Sequence, residues 1–135
     1  MKRRTFIDTD LLIDAARGDV DIGGAAMAVL SDTNRVFLTS VFVQLEIIPQ
    51  ARLNRREREL AFYMKFFSRC HRVAASDELV ALSINIRSDI RGLGALDALH
   101  LAAAIQGGAD ELVTSEGRTK PMFSCSALTV TSIRP

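Results

Sequence analysis

Phe6 and Ile7, residues suited to a buried strand, run directly into Asp8, and Leu11-Leu12-Ile13 begin a helix soon after. The chain therefore has to accommodate a carboxylate where a buried strand stops. Thr9 or Asp10 is the natural cap for the helix that follows. A charge in that position is costly unless something pairs with it. In open α/β sheets the carboxyl ends of the strands are also where ligands bind.

The remaining pattern alternates helices with short apolar strands. A helix over Leu11–Arg17 stops at Gly18, and an Ala-rich helix spans Ile22–Leu30, with Gly23-Gly24 weakening its start. A strand over Val36–Thr39 leaves through Ser40. The spacing then predicts a helix from Val41 to Leu53, bent near Pro49. Asn54 with Glu57 resembles a capping box and predicts a new helix there. That helix carries an apolar stripe at Leu60, Tyr63, Met64 and Phe67, widened by Phe62 and Phe66, as a core helix or a partner surface would. Val73-Ala74 is a candidate short strand. Ser76 caps a helix ending near Arg91-Gly92, and Asp97 opens another that ends at Gly107-Gly108. Glu111–Thr114 and Leu128–Ile133 are the last strands. This order predicts an α/β fold: a three-layer α/β/α sandwich around a central parallel sheet.

A chain of 135 residues is read as a single domain over 1–135. A net charge of +1 argues against a generic, strongly basic nucleic-acid coat. Met1-Lys2-Arg3-Arg4 looks like the start of a signal peptide, but Asp8, Asp10 and Asp14 interrupt any apolar stretch after it. No apolar run reaches the roughly 20 residues that span a membrane, so a cytoplasmic protein with no membrane partner is expected. Cys70 and Cys125 form no C-x-x-C pair and read as two reduced thiols, with a disulfide or zinc site as the alternative.

Position relative to the strands sorts the 16 acidic residues. Asp110 and Glu111 enter their strand, at the edge opposite Asp8. Glu116 leaves it, roughly 17 Å further along at ~3.3 Å per residue. Asp97 stands in the first turn of an almost wholly apolar helix. Glu46 is a lone carboxylate among Val41, Phe42, Val43, Leu45, Ile47 and Ile48. Asp8, Glu46, Asp97 and Glu116 can thus converge at one sheet edge. Four such charges about 6 Å apart would repel by on the order of 15 kcal/mol, as much as a whole domain's stability of ~5–15 kcal/mol. The cluster must protonate or hold cations, and oxygen-only ligands suit Mg²⁺ or Mn²⁺. Taken singly, each acid also has an ordinary reading: Asp8 or Asp10 as a helix cap, Glu46 as partner of an arginine, Asp97 as a helix-dipole acid, Glu116 as a loop acid.

At these residues the chain resembles the PIN-domain family and, within it, the VapC-type toxins. The matching segments are FIDTDLLIDAARG, TSVFVQLE, LGALDALHLAAA and GADELVTSE, which span positions 6 to 116 in the family's order. The resemblance implies a metal-dependent ribonuclease, the toxin of a toxin–antitoxin pair. Asp8, Glu46 and Asp97 match the first three acids of that family. Glu116 falls where many members have aspartate, a longer arm that implies either a looser metal site or one that holds a single ion firmly. Asp10 falls where asparagine is common, and is either a water-mediated or supporting ligand or a simple cap. Ser40 and Thr114 match polar positions that orient the acids, and His100 lies where its imidazole reaches Asp97. The resemblance implies phosphodiester hydrolysis with Mg²⁺ or Mn²⁺, one ion held by Asp8 and Asp97 and a second near Glu46 or Glu116.

Arg118 and Lys120 are the expected phosphate contacts for an RNA substrate. Arg52, Arg55, Arg56 and Arg58 are a second candidate patch, but the interleaved Glu57 and Glu59 fit an ion-paired, solvated face. The family also implies a homodimer and a small antitoxin protein as partners. Two rivals stay open: a PIN-like module that binds RNA or protein without cleaving, and a receiver-like phospho-signalling domain. The receiver pattern needs an acidic pair before the end of the first strand and a late lysine after a strand, and neither is present.

Overall fold

The computed structural model describes all residues, Met1–Pro135. Five strands, β1 (Arg3–Ile7), β2 (Arg35–Ser40), β3 (His71–Val73), β4 (Glu111–Thr114) and β5 (Thr129–Ser132), form one sheet in the order β3-β2-β1-β4-β5. Every pairing is parallel, so all carboxyl ends lie along one edge. The helices are α1 (Thr9–Arg17), α2 (Val20–Leu30), α3 (Val41–Leu53), α4 (Glu57–Phe67), α5 (Asp77–Asp89) and α6 (Ala95–Gln106), with a 3₁₀ turn at Pro121–Ser124. Right-handed crossovers from β1 to β2 to β3 place α1–α4 on one face, and the reversed step from β3 to β4 places α5 and α6 on the other. The packing largely follows this division: α1 meets α2, α3 and α4, and α5 meets α6, while α3 also reaches α6. The expected three-layer sandwich is therefore present. The strand order reverses between β1 and β4, which opens a crevice at their carboxyl ends.

Phe6, Ile7, Leu38, Leu112 and Val113 from the strands pack against Leu11, Leu12, Val43, Ile47 and the Ala102-Ala103-Ala104 run. The alanines let α6 lie close to the sheet. At its end a Cβ on Gly107 would come within 2.7 Å of Leu38 and 2.9 Å of Val73, so only glycine lets the chain turn there without displacing core side chains. No helix is long and apolar enough to cross a membrane. Both cysteines are free, and burial pushes the Cys70 thiol up to about 12.

Several boundaries differ from expectation. Asn54 does not cap α4. It ends α3, where Arg55 takes a left-handed conformation at φ 52° and the Arg56 N–H donates to the Ala51 carbonyl at 2.9 Å. This Schellman arrangement consumes the residue that looked like a start signal, and α4 begins after Arg56 with no side-chain cap. The sequence of α4 faces inward at Tyr63, Phe66 and Phe67, with Met64 on the surface at 45% exposure. Phe66 packs edge-on against Phe37 of β2, so the aromatic face is mostly core. The α3 helix, by contrast, spans Val41–Leu53 as its sequence predicts, with Pro49 inside it. The third strand is His71–Val73 rather than Val73-Ala74, α5 stops at Asp89, and α6 begins at Ala95, two residues before Asp97. Of the basic patch, Arg56 pairs with Glu59, as does Arg17 of α1.

Glu111 lies at the opposite edge from Asp8, as its place at the strand entry predicts. It is buried and accepts from Arg35 and from Thr131 Oγ1 at 2.9 Å, with Arg3 Nε at 3.2 Å. These bonds tie β1, β2, β4 and β5 together. Glu111→Gln is expected to lower unfolding free energy by about 2 kcal/mol, the scale of a hydrogen-bonded charge lost from a buried network, as read by urea denaturation.

Candidate functional site

The register Ile7↔Val113 sets the exit of β1 beside the exit of β4, and the Asp8 N–H donates to the Val113 carbonyl at 3.0 Å. Asp8 is only 4% exposed. It caps α1: its Oδ1 accepts from the Thr9 N–H at 3.0 Å, and its Oδ2 accepts from the Thr114 hydroxyl at 2.7 Å. The cap and the site residue are thus the same side chain.

Asp10, in the first turn of α1, approaches the same Thr114 hydroxyl at 3.1 Å. That hydroxyl has one proton and two carboxylates to serve. Burial, outweighing the Thr114 hydrogen bond, raises Asp8 to about 6. Burial and the adjacent Asp8 charge raise Asp10 to about 7. Glu116, just beyond β4, is raised by partial burial and by Asp10. Its backbone N–H donates to the Thr114 hydroxyl oxygen at 3.1 Å, and Lys120 Nζ lies 3.9 Å from its Oε2.

The second group comes from the facing helices. Glu46 of α3 accepts at Oε1 from the Thr9 hydroxyl at 2.7 Å and faces His100 Nε2 of α6 at 2.9 Å. Partial burial opposes its ionisation, but the His100 and Thr9 hydrogen bonds outweigh it and hold Glu46 below the usual carboxylate range. Asp97 is half-buried. Burial raises it, His100 lowers it, and Glu46 and Glu116 push it up again. Asp97 also adds to the raising of Asp8. The four acids expected to share one edge are therefore electrostatically linked, in pairs that run from Glu46 through Asp97 to Asp8 and on to Asp10 and Glu116. No group of three His, Cys, Asp or Glu side chains is arranged to hold an ion jointly.

Other expected roles change. His100 bonds Glu46 rather than Asp97, because its ring points into the interior at 1% exposure and meets α3, whereas Asp97 sits at the rim. Ser40 is occupied by capping α3, accepting from the Phe42 and Val43 N–H groups, and bonds no carboxylate. Arg118 donates to the Pro135 and Ser132 carbonyls and so fastens the C-terminal segment, although it remains exposed. Glu46 is not sunk in a wholly buried helix: Leu45 beside it is 68% exposed. Two contributors are absent from the expected set. Thr9 bridges Asp8 and Glu46. Arg134, which follows β5 onto the same edge, donates to the Ser115 carbonyl and lowers Glu116. The position of Arg134 two residues past the end of β5 was a signal available in the sequence.

A family model described as PIN domain matches residues 5–120. Comparison with curated protein sequences gives no match. Among solved structures, a toxin–antitoxin complex from Klebsiella pneumoniae is similar at 22% identity and TM-score 0.76, covering 96% of this chain and 98% of that one. VapBC2 from Rickettsia felis, bound to a DNA fragment from its promoter, is similar at 17% identity and TM-score 0.73 over 96% and 98%. The sarcin-ricin loop cleaving toxin VapC20 of Mycobacterium tuberculosis is similar at 21% identity and TM-score 0.63 over 80% and 86%. At these identities the likeness concerns the fold.

Proposed function

The chain belongs to the PIN domain family, and from that membership together with its acidic sheet edge we propose that it is a divalent-metal-dependent ribonuclease, the toxin of a toxin–antitoxin pair. The observation that carries the reading is the pair formed by buried Asp8 and half-buried Asp10, which share one hydroxyl proton and have no cationic side chain bonded to either. Such a pair either keeps protons or binds a cation.

The donor set fits Mg²⁺ or Mn²⁺. Every candidate ligand atom is a carboxylate oxygen: Asp8 and Asp97 are the residues to hold one ion, with Glu46 or Glu116 beside a second. One or two carboxylates with waters completing the octahedron is the usual habit of Mg²⁺, which matches acids coupled in pairs rather than gathered into a cage. When bound, the ion supplies Lewis acidity, activating water and neutralising charge on the phosphate.

The chain's own residues supply the geometry. Thr9 N–H and Thr114 Oγ1 fix both oxygens of Asp8 in the crevice between β1 and β4. Thr114 also holds Asp10, and the Glu116 N–H holds Thr114 in turn. Exposed Lys120 stands at the rim, where an RNA phosphate would arrive and need its charge offset. No side-chain nucleophile is invoked, so water is the attacking group.

A small antitoxin is an expected partner, since a similar fold is described as a toxin–antitoxin complex, and the family resemblance adds a second copy of the chain. Apolar side chains left on the surface of α3 and α5, Leu45 and Ile84 among them, offer contact area for such partners. Work in the cytoplasm on cellular RNA follows from the same reading.

The test is cleavage of a mixed RNA substrate. Activity is expected with Mg²⁺ or Mn²⁺, none with a chelator, and recovery on adding the ion back. Ion binding without cleavage would instead support an RNA- or protein-binding PIN module.

A further inference from the structure

Glu46 differs from the other acids of the site in the way its oxygens are used. Both donors that reach it, the Thr9 hydroxyl at 2.7 Å and His100 Nε2 at 2.9 Å, end on the same atom, Oε1. A carboxylate oxygen has two lone-pair sites, so Oε1 is saturated. Oε2 receives no hydrogen bond from the protein, and the Glu46 side chain is 37% exposed. The clamp is built from rigid parts. Thr9 is 4% exposed in the first turn of α1, directly after Asp8, and His100 is 1% exposed beneath Phe6 in the centre of α6. The other ring nitrogen of His100, Nδ1, is buried with no partner. The imidazole is therefore committed to Glu46 at the cost of an unpaired polar atom, which a residue placed only for packing would not need.

Resting on the ribonuclease reading above, we propose that Thr9 and His100 are positioning residues that make Glu46 a one-oxygen ligand and so select a small octahedral ion over Ca²⁺. The physical reason is coordination habit. Ca²⁺ takes six to eight oxygens and accepts carboxylates through both oxygens, whereas Mg²⁺ requires near-ideal octahedral geometry and takes one oxygen at a time. A glutamate free to turn offers two oxygens. A glutamate with Oε1 saturated offers only Oε2, at a fixed angle, and removes one of the ligands a larger ion would use. Thr9 couples this selection to the rest of the site, since its backbone N–H holds Asp8 while its hydroxyl holds Glu46.

The experiment measures Mn²⁺ affinity by electron paramagnetic resonance and Ca²⁺ affinity by competition, in the full chain, for wild type, Thr9→Val, Thr9→Ser and His100→Leu. Folding of each is checked by circular dichroism. Thr9→Val keeps shape and removes the hydroxyl. It is expected to weaken Mn²⁺ binding about tenfold, the scale of a lost partner behind a metal ligand, and to weaken Ca²⁺ binding less, so that the Mn²⁺-to-Ca²⁺ ratio falls. Thr9→Ser restores the wild-type ratio. His100→Leu, which removes the other donor, shifts the ratio in the same direction and decides the matter if the valine variant does not fold. An unchanged ratio in folded Thr9→Val or His100→Leu, with wild type binding Mn²⁺ and cleaving RNA, overturns the clamp alone. Wild type that binds neither ion overturns the ribonuclease reading and the clamp with it.

Discussion

Asp8→Asn is expected to lower metal-dependent RNA cleavage by on the order of 10³-fold, the scale of removing one preorganised electrostatic group from a reacting site. The same change is expected to raise the stability of the metal-free protein at pH 8. The two effects have one cause. Asp8 is buried with one shared hydroxyl and one backbone N–H for partners, and its burial lifts it from 3.8 to about 6. Ionising it in the folded chain costs about 3 kcal/mol by the linkage between pKa and stability. Asparagine keeps the shape, accepts from Thr9 N–H and carries no charge. An ordinary structural residue would lose activity and stability together. Loss of activity with gain of metal-free stability marks a group kept for its charge. Equal cleavage rates for Asp8→Asn and wild type would remove Asp8 from the chemistry.

The second large effect is a dependence of stability on pH that reverses when metal is added. Asp8 and Asp10 have folded-state values near 6 and 7, above the 3.8 of the unfolded chain. Below pH ~4 both states are protonated and no penalty exists. Between pH 4 and 7 the unfolded chain releases these protons first, so stability falls as pH rises, and above pH 7 the loss is constant. In chelator, therefore, the melting temperature should drop from pH 5 to pH 8. The expected loss over that range is about 1.5 kcal/mol from Asp8, with Asp10 adding to it through its burial and the neighbouring Asp8 charge. With Mn²⁺ or Mg²⁺ present, the ion binds the ionised form, and the drop should flatten or invert. Parallel melting curves with and without the ion would show that these carboxylates do not meet it.

How much of this was legible follows from the range of each signal. The Asp8 position was readable because apolar strand, acid and helix start occur within a few adjacent residues. The parallel sheet was readable from the alternation of elements, and with it the division between Glu111 at the entry edge and Glu116 at the exit edge. Partner choice was not. His100 stands three residues from Asp97, and local helix geometry favours that pair, yet the ring turns inward and meets Glu46 from a helix 54 positions away. Only packing of α3 against α6 decides between them. Asn54 failed for the opposite reason: a cap signal at the start of one helix is also a stop signal at the end of another, and the left-handed Arg55 settled which. Ser40 and Arg118 carried the right chemistry at the right edge, but backbone groups took them first. Thr9 gave no local sign of its reach to Glu46, because the contact exists only once β1 and α3 share a sheet edge.

On this account Asp8 and Asp10, the carboxylates around Thr114, hold protons until a divalent ion replaces them. Proton release on Mn²⁺ addition, followed in weakly buffered solution, reads this replacement directly. Between pH 6 and 7 wild type should release roughly one proton per ion bound, falling toward zero at pH 9, where Asp8 and Asp10 are already ionised, and Asp8→Asn should release fewer. Tight Mn²⁺ binding with no proton release at pH 6, or release that Asp8→Asn leaves unchanged, would contradict it.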